Sequence, residues 1–257
     1  MIIERWFKSH VRKLLIYVGY HMNAGNSFQN DLYYCALFNQ VTLGSEWLKD
    51  KSFAPGRMAV DYCYLYTMYR SLDIMRPHHI LDIGLGQTTR MFSQYCEWMT
   101  RENDVNVHMT SIEHDSEWIE FVQRQYHLNV EIKQFNLLQG VQYEPVSGIV
   151  VKSANVYEGF AEWLGNSGKY DFISIDAPFK NEGYSRPQIL ELLKNDCLSD
   201  DFVIMMDDMN RDGEKNTMEL FLRELSKKGI RYYQKIYNGA KQHCLITTQK
   251  YKFLTSL

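Results

Sequence analysis

Two glycines one residue apart, with an aspartate just before them, are the residues of this chain whose types and spacing point most clearly to chemistry. They lie in I-L-D-I-G-L-G-Q-T-T at residues 80–89, where an apolar stretch typical of a buried parallel strand leads into a helical pattern. Gly84 and Gly86 let the backbone turn sharply and approach a ligand without an intervening Cβ. Thr89 stands where a dinucleotide-binding turn has a third glycine. The turn therefore predicts a nucleotide-like ligand that is not a dinucleotide.

Two carboxylates near this turn indicate the charge and the sugar of that ligand. Asp82 precedes Gly84 by two positions and would attract an ammonium or a sulfonium group. Glu113 ends the next short strand, where a carboxylate can accept hydrogen bonds from both hydroxyls of a ribose. S-adenosylmethionine carries both cations and a ribose. We expect it to bind at the ends of these two strands, at Asp82, Gly84, Gly86, Gln87, Thr88, Glu113 and His114.

Three further aspartates follow two later hydrophobic strands. Asp176 ends K-Y-D-F-I-S-I-D, and the pair Asp207 and Asp208 ends D-F-V-I-M-M-D-D. Because ligands bind beyond the carboxyl ends of parallel strands, we expect these side chains to converge near the methyl group of the cofactor. Their mutual repulsion would raise at least one pKa unless a cation neutralises the group.

Three interpretations of this acidic cluster remain open. Asp176, Asp207 and Asp208 could hold Mg²⁺ or another divalent cation, because such ions prefer oxygen ligands. The metal would then bind vicinal hydroxyls of an acceptor. Asp176 or Asp208 could instead act as a general base, so these two are the candidate catalytic residues. Asp207 or Asp208 could also simply cap the next helix.

From about Pro77 to the C terminus, these motifs resemble the class I S-adenosylmethionine-dependent methyltransferases. The resemblance implies an α/β fold with a Rossmann-like, doubly wound, mostly parallel seven-stranded sheet and an antiparallel C-terminal hairpin. It makes Asp82 to Gly86 the first motif and Glu113 the ribose ligand. We accordingly expect an N-terminal helical extension at residues 1–76 and an S-adenosylmethionine-binding domain at residues 77–257.

The strand-end aspartates also resemble those of metal-dependent sugar O-methyltransferases, in which such residues hold magnesium. The wider pattern, including I-D-A-P-F and M-M-D-D-M-N-R-D-G-E, is similar to methyltransferase-like proteins of bacterial capsule and surface-polysaccharide synthesis. These resemblances imply O-methylation of a sugar or polysaccharide hydroxyl. Ala177-Pro178-Phe179 departs from the metal-dependent pattern. The candidate substrate contacts are Tyr184, Arg186 and Arg57, with Arg186 placed to bind a phosphate or carboxylate of a glycan.

Composition narrows the partners and the location. A net charge of −3 with interspersed signs argues against a nucleic-acid substrate. Five scattered cysteines indicate reduced thiols, and no apolar stretch is long enough to cross a bilayer, so we expect a cytoplasmic protein. Near the N terminus, basic residues alternate with apolar ones at helical spacing. That helix could contact the inner membrane face peripherally, or pack on its own domain or on a second subunit of a homo-oligomer.

Two other functions share parts of this pattern. A catalytically silent methyltransferase-like partner in polysaccharide assembly would keep the fold and lose the cofactor. Another nucleotide-binding Rossmann enzyme, such as an NAD-dependent oxidoreductase, would share the glycine turn and the ribose carboxylate, although Asp82 and Thr89 argue against it. Lys241 and His243, near the last predicted turn, are expected to be surface residues.

Overall fold

A computed structural model describes residues 27–55, 59–179 and 183–257. The described residues form nine strands: β1 His79–Ile83, β2 His108–Glu113, β3 Glu131–Gln134, β4 Leu137–Val146, β5 Ile149–Tyr157, β6 Tyr170–Ile175, β7 Leu198–Met206, β8 Tyr233–Asn238 and β9 Gln242–Thr247. Helix α1 covers residues 27–42. The other α-helices are α2 Tyr62–Met75, α3 Gln87–Asn103, α4 Ser116–Gln125, α5 Phe160–Leu164, α6 Glu191–Lys194 and α7 Asp212–Lys227. Two 3-10 helices lie at Pro187–Leu190 and Gln249–Ser256.

Seven of the strands form one sheet in the order β3-β2-β1-β6-β7-β9-β8. The pairs β3-β2, β2-β1, β1-β6 and β6-β7 are parallel, whereas β9 is antiparallel to both β7 and β8. The predicted doubly wound, mostly parallel sheet with a C-terminal hairpin is therefore confirmed.

A hydrophobic core covers each face of the sheet. Successive strand residues point to opposite faces, so Ile80 and Val203 join one core while Leu81 and Ile204 join the other. Helices α2 and α3 pack on the first face through residues such as Leu65 and Phe92, and α5 and α7 pack on the second. The continuous apolar runs of β6 and β7 follow from this burial on both faces.

Helix α2 is integral to the first core. Asp61 caps its N terminus by accepting a hydrogen bond from the Tyr64 backbone, 2.9 Å away. The Tyr64 hydroxyl reaches across to Ser174 Oγ in β6, at 3.1 Å. The boundary predicted after residue 76 thus separates α2 from a sheet with which α2 shares one hydrophobic core.

The segment between β3 and β6 has no strong hydrophobic period in the sequence. In the structure it forms the long antiparallel pair β4-β5. Register shifts after Leu138, Val141 and Tyr143 interrupt the pairing. Bulges of this kind break the alternation by which a strand is recognised.

The predicted N-terminal amphipathic helix falls in residues 1–26, outside the described part of the chain. Among the helices that are described, none combines the length and the apolar character needed to span a bilayer.

Candidate functional site

The candidate site lies at the carboxyl edge of the sheet, where the strand order reverses. Strand β1 has β2 on one side and β6 on the other, and this arrangement opens a crevice beyond the strand ends. The turn after β1, the end of β2 and the loops after β6 and β7 all meet there. Because β9 is antiparallel to β7, its first residues also lie at this edge.

The two glycines of the turn have different roles. Gly84 has φ +121°, and a Cβ on it would lie 3.1 Å from the Cβ of Ala177 in the loop after β6. Backbone hydrogen bonds from Asp176 and Ala177 to the Ile83 carbonyl, at 2.8 and 3.0 Å, hold that loop against the turn. Gly84 thus allows two chain segments to pack closely. A Cβ on Gly86 would meet no atom within 4 Å, so Gly86 is the glycine that faces open space.

Asp82 lies beneath the turn instead of at its mouth. Its side chain is 1% exposed and accepts hydrogen bonds from the hydroxyls of Thr89 (2.6 Å) and Thr88 (3.1 Å). Burial raises the pKa of Asp82 to about 7, and the hydroxyls lower it less. A direct ion pair with a ligand, as the sequence suggested, is incompatible with this burial, so Asp82 acts on the site through the turn.

Thr89 explains the missing third glycine. Its hydroxyl accepts a hydrogen bond from the Gly86 backbone at 2.9 Å while it donates to Asp82. The residue therefore caps α3 and ties the turn to the buried carboxylate. A glycine at this position could do neither.

Glu113 has one occupied and one open oxygen. Its Oε1 accepts hydrogen bonds from the backbone of His114 (2.6 Å) and Asp115 (3.1 Å), and His114 Nδ1 lies 2.7 Å away. Within the described residues, no donor contacts Oε2. A carboxylate held at one oxygen and open at the other suits a diol such as that of ribose, which is the role expected of Glu113 from the sequence.

The other predicted cofactor residues mainly support the turn. Gln87 Oε1 accepts hydrogen bonds from Arg90 (2.8 Å) and from the Ala54 backbone (3.4 Å), and Thr88 serves Asp82. His114 packs edge-on against Phe179, with ring centroids 5.1 Å apart. The sequence interpretation missed Trp118, whose indole donates to the Leu85 carbonyl at 2.8 Å and so clamps the turn from α4.

The three strand-end aspartates do converge, as their positions predict. One carboxylate oxygen from each of Asp176, Asp207 and Asp208 lies within 4.8 Å of the others. Asp207 and Asp208 are buried, and 20% of the Asp176 side chain is exposed. Asp208 also has φ 64°, an uncommon conformation for a residue with a side chain. The chain therefore concentrates negative charge at this edge, and it also supplies the cations that balance it.

Arg186 is the most deeply buried of these cations. Its Nη2 lies 2.9 Å from Asp208 Oδ2 and 3.2 Å from Asp176 Oδ1, and its guanidinium also donates to four backbone carbonyls, those of Ile175, Asp176, Pro178 and Asp207. The residue is 2% exposed. The predicted role in binding a glycan phosphate or carboxylate is therefore corrected: Arg186 braces the loops after β6 and β7, because all its donors are used within the chain.

Lys241 and Arg211 are the other two cations that pair with the aspartates of the cluster. Lys241 Nζ lies 2.5 Å from Asp207 Oδ2 and 3.6 Å from Asp208 Oδ1, and Arg211 Nη1 lies 2.7 Å from Asp208 Oδ2. The sequence interpretation placed Lys241 on the surface, and this was wrong. Because β9 is antiparallel to β7, the turn between β8 and β9, which contains Lys241, lies at the carboxyl edge of the sheet. The predicted hairpin was therefore the signal that could have placed Lys241 at the site.

These contacts do not fit a resident divalent cation. Of the three carboxylates, Asp207 is paired with Lys241, and Asp208 Oδ2 is shared by Arg186 and Arg211. A metal needs these oxygens as ligands and would lie beside an ammonium group. The acidic cluster predicted from the sequence is present, but its charge is already matched by basic side chains.

Burial and the neighbouring carboxylate Asp207 raise the pKa of Asp176 to about 7. Asp176 is also the member of the cluster with the most exposed side chain. It is thus the carboxylate that can exchange a proton with a bound molecule near neutral pH. Asp208, the other predicted catalytic residue, is enclosed by two arginines.

The remaining predicted substrate contacts have different outcomes. Tyr184 is partly buried and packs against the core formed by β6, β7 and α7 and against the β4-β5 hairpin. Arg57 falls outside the described residues. His243, expected at the surface, is fully buried between the rings of Tyr64 and Tyr237, with centroid distances of 4.9 and 5.3 Å.

No protein-family model and no curated protein matches the sequence at a significant level. Several solved structures are similar in architecture. A methyltransferase from Pyrococcus furiosus is 16% identical, with 86% of this chain and 98% of that chain covered and a TM-score of 0.41. Human methyltransferase-like protein 13 in complex with SAH is 16% identical, with 72% and 77% covered and a TM-score of 0.41. Spermidine synthase from Thermotoga maritima is 15% identical, with a TM-score of 0.40; 71% of this chain matches 59% of that longer chain.

Proposed function

We propose that this protein is an S-adenosylmethionine-dependent O-methyltransferase. The observation that carries the proposal is the pairing of Gly86, which faces open space, with Glu113, whose Oε2 has no donor among the described residues. Gly86 lies in the turn after β1 and Glu113 ends the neighbouring parallel strand β2, at the edge where the strand order reverses. A backbone that admits close approach, next to a carboxylate for a diol, is what an adenosyl group requires.

Thr89 and the buried Asp82 favour this ligand over a dinucleotide. A pyrophosphate would lie at the N terminus of α3, where Thr89 already accepts the Gly86 amide. When it is ionised, the buried Asp82 carboxylate beneath the turn opposes a nearby anion and favours a cation such as the amino or sulfonium group of S-adenosylmethionine, without contacting it. An NAD-dependent reaction is the less suited alternative.

Asp176 is the proposed general base. Bound S-adenosylmethionine would supply an electrophilic methyl carbon, and the electron pair of its broken sulfur–methyl bond would remain on sulfur in adenosylhomocysteine. Asp176 accepts the proton of the acceptor hydroxyl as the hydroxyl oxygen bonds to that carbon. Its pKa of about 7 lets it take up a proton near neutral pH. Arg186 holds Asp176 Oδ1 at 3.2 Å, which orients the carboxylate. No step requires a metal.

We further propose a sugar or another polyhydroxylated molecule as the acceptor. Phe179 lies three residues after Asp176 in the same loop, and 51% of its surface is exposed, so its ring is available to an apolar face of the acceptor. A sugar ring presents both an apolar face and hydroxyls. Nucleic acid is not proposed, since the net charge is −3.

Calorimetry with adenosylhomocysteine tests the cofactor assignment. Glu113→Gln should weaken binding by about tenfold or more, because it removes charge-assisted hydrogen bonds to the ribose. Glu117→Gln changes an exposed carboxylate at the start of α4 and is the matched control. An affinity of Glu113→Gln within about twofold of wild type, or a preference for NAD, would contradict the proposal.

Labelled S-adenosylmethionine tests the reaction and the acceptor. We expect label in a glycan pool and in no separate pool of protein, RNA or small phenols. Asp176→Asn should abolish transfer and leave adenosylhomocysteine binding intact, because Asp176 is proposed to act only on the acceptor. Cofactor binding without transfer to any pool would favour a catalytically silent partner, and label in RNA or protein would exclude the sugar.

A further inference from the structure

The position at which a divalent cation was expected is next to a lysine. The Lys241 ammonium lies 2.5 Å from Asp207 Oδ2 and 3.6 Å from Asp208 Oδ1. These belong to the three carboxylates whose oxygens lie within 4.8 Å of one another. Only 18% of the Lys241 side chain is exposed, so its charge is directed inward to the cluster.

The backbone around Lys241 is built to hold it there. Its amide donates to Asp61 Oδ2 at 2.8 Å, and Asp61 in turn caps α2. Gly239 packs so closely on this carboxylate that a Cβ would lie 2.3 Å from Asp61 Oδ2. The turn between β8 and β9 is therefore fastened to α2. Tertiary packing of this turn fixes the backbone position from which the Lys241 side chain extends to the cluster.

Two other oxygens of the cluster are already paired with arginines, so the position near Asp207 Oδ2 and Asp208 Oδ1 is the one at which a further cation would bind. Arg186 and Arg211 both contact Asp208 Oδ2, at 2.9 and 2.7 Å, and Arg186 contacts Asp176 Oδ1 at 3.2 Å. Asp208 Oδ1 is buried without a hydrogen bond, and Lys241 Nζ is the ammonium that lies near it. A divalent cation bound to Asp207 and Asp208 would lie within a few ångströms of this ammonium, and the two positive charges would repel each other strongly.

We propose that the Lys241 ammonium replaces a divalent cation in this cluster, as a positioning residue for Asp207 and Asp208. Two consequences follow. The wild-type protein does not bind a divalent cation at these carboxylates, and removal of the ammonium alone converts the cluster into a metal site. Metal binding at the cluster is independent of the reaction; only the expectation that methyl transfer survives chelation rests on the proposed function.

Electron paramagnetic resonance of free Mn²⁺ tests the proposal on the intact chain. Lys241→Met should bind one Mn²⁺ with a Kd of about 10⁻⁴ M, as expected for a site with few charged oxygen ligands. The wild type should show no Mn²⁺ binding at these carboxylates up to about 10⁻³ M. Lys241→Arg, which restores the cation, should lose the Mn²⁺ site again, and so should Lys241→Met combined with Asp207→Asn. Lys169→Met removes a lysine paired with Asp196 at 3.0 Å, away from the cluster, and is the control.

Lys241→Gln provides a second route if Lys241→Met does not fold, because the amide can still donate to Asp207. Wild-type binding of Mn²⁺ that disappears in Asp207→Asn would overturn the proposal. Absence of Mn²⁺ binding in a folded Lys241→Met or Lys241→Gln protein would also overturn it. If these results are as expected and no acceptor is methylated, the replacement stands and the proposed function fails.

Discussion

The turn after β1 and the carboxylate cluster after β6 and β7 lie at the same edge of one sheet, yet they differ in whether their polar groups are paired within the chain. At the turn, Glu113 keeps one oxygen without a donor and Gly86 faces open space. In the cluster, Lys241, Arg186 and Arg211 pair with the carboxylates. The first region is arranged to receive a ligand, and the second is completed by the chain itself.

This difference follows from the cost of burying charge. Asp207 and Asp208 are almost inaccessible to water, and an unpaired carboxylate there would be strongly destabilising. Glu113 satisfies Oε1 with two backbone amides and can leave Oε2 for a ligand. Changes in the cluster should therefore lower stability, whereas changes that face the open side of the turn should lower ligand affinity.

The largest expected effect is that of Arg186→Met. The substitution leaves Asp176 and Asp208 without their buried partner, and the free energy of unfolding should fall by about 3–5 kcal/mol. Urea denaturation measures this change. Arg211→Met removes a more exposed partner of Asp208 and should cost about 1 kcal/mol or less. Equal effects of the two substitutions would contradict the different depths assigned to these arginines.

The contribution of Asp82 to the free energy of unfolding should depend on pH with the opposite sign to that of an ion-paired aspartate. Burial raises its pKa from 3.8 to about 7, so the folded state holds the proton more tightly than the unfolded state. This contribution to stability is complete below pH 3.8 and is lost as the pH rises through about 7. Asp82→Asn should therefore flatten the fall in unfolding free energy over this range, by up to about 1.4 kcal/mol per pH unit. Parallel pH curves for the two proteins would contradict the raised pKa.

The two glycines separate packing from ligand binding within one turn. Gly84→Ala should lower the free energy of unfolding by about 1–3 kcal/mol, because its φ is unfavourable for alanine and the new Cβ would crowd Ala177. Gly86→Ala should leave stability nearly unchanged and weaken adenosylhomocysteine binding. Denaturation and calorimetry on both variants check this, and a loss of stability in Gly86→Ala with normal binding would reverse the assignment.

His243→Phe is expected to have the smallest effect and to stabilise the protein. Within the described residues neither ring nitrogen has a hydrogen-bond partner, and burial lowers the pKa of His243 to about 3, with Lys241 adding to the shift. Its contribution is present above pH 6.5 and is lost as the pH falls towards 3. Phenylalanine should add about 1 kcal/mol at neutral pH and remove this acid sensitivity. Thermal denaturation at neutral pH and at about pH 4 measures both effects. His79→Phe, at the exposed end of β1, is the control.

Elements with uninterrupted local patterns were predictable. The apolar runs of β1, β6 and β7 identified the parallel sheet, and the last two strands identified the hairpin. The β4-β5 pair was not, because its register shifts interrupt the period. Glu113 and the three aspartates were identified as site residues because each lies at or just after the carboxyl end of a strand, so that a local pattern places it at the edge.

What the sequence determined by itself is the sheet, its carboxyl edge and the acidic residues that gather there, since alternation and strand ends are properties of short segments. Tertiary structure decided which of these residues remain open to a ligand. Lys241 reaches Asp207 from 34 positions away, through a turn fastened by Asp61, and Arg186 reaches Asp208 across 22 positions. Such partners are selected by the need to compensate buried charge in three dimensions, and no local pattern records that requirement.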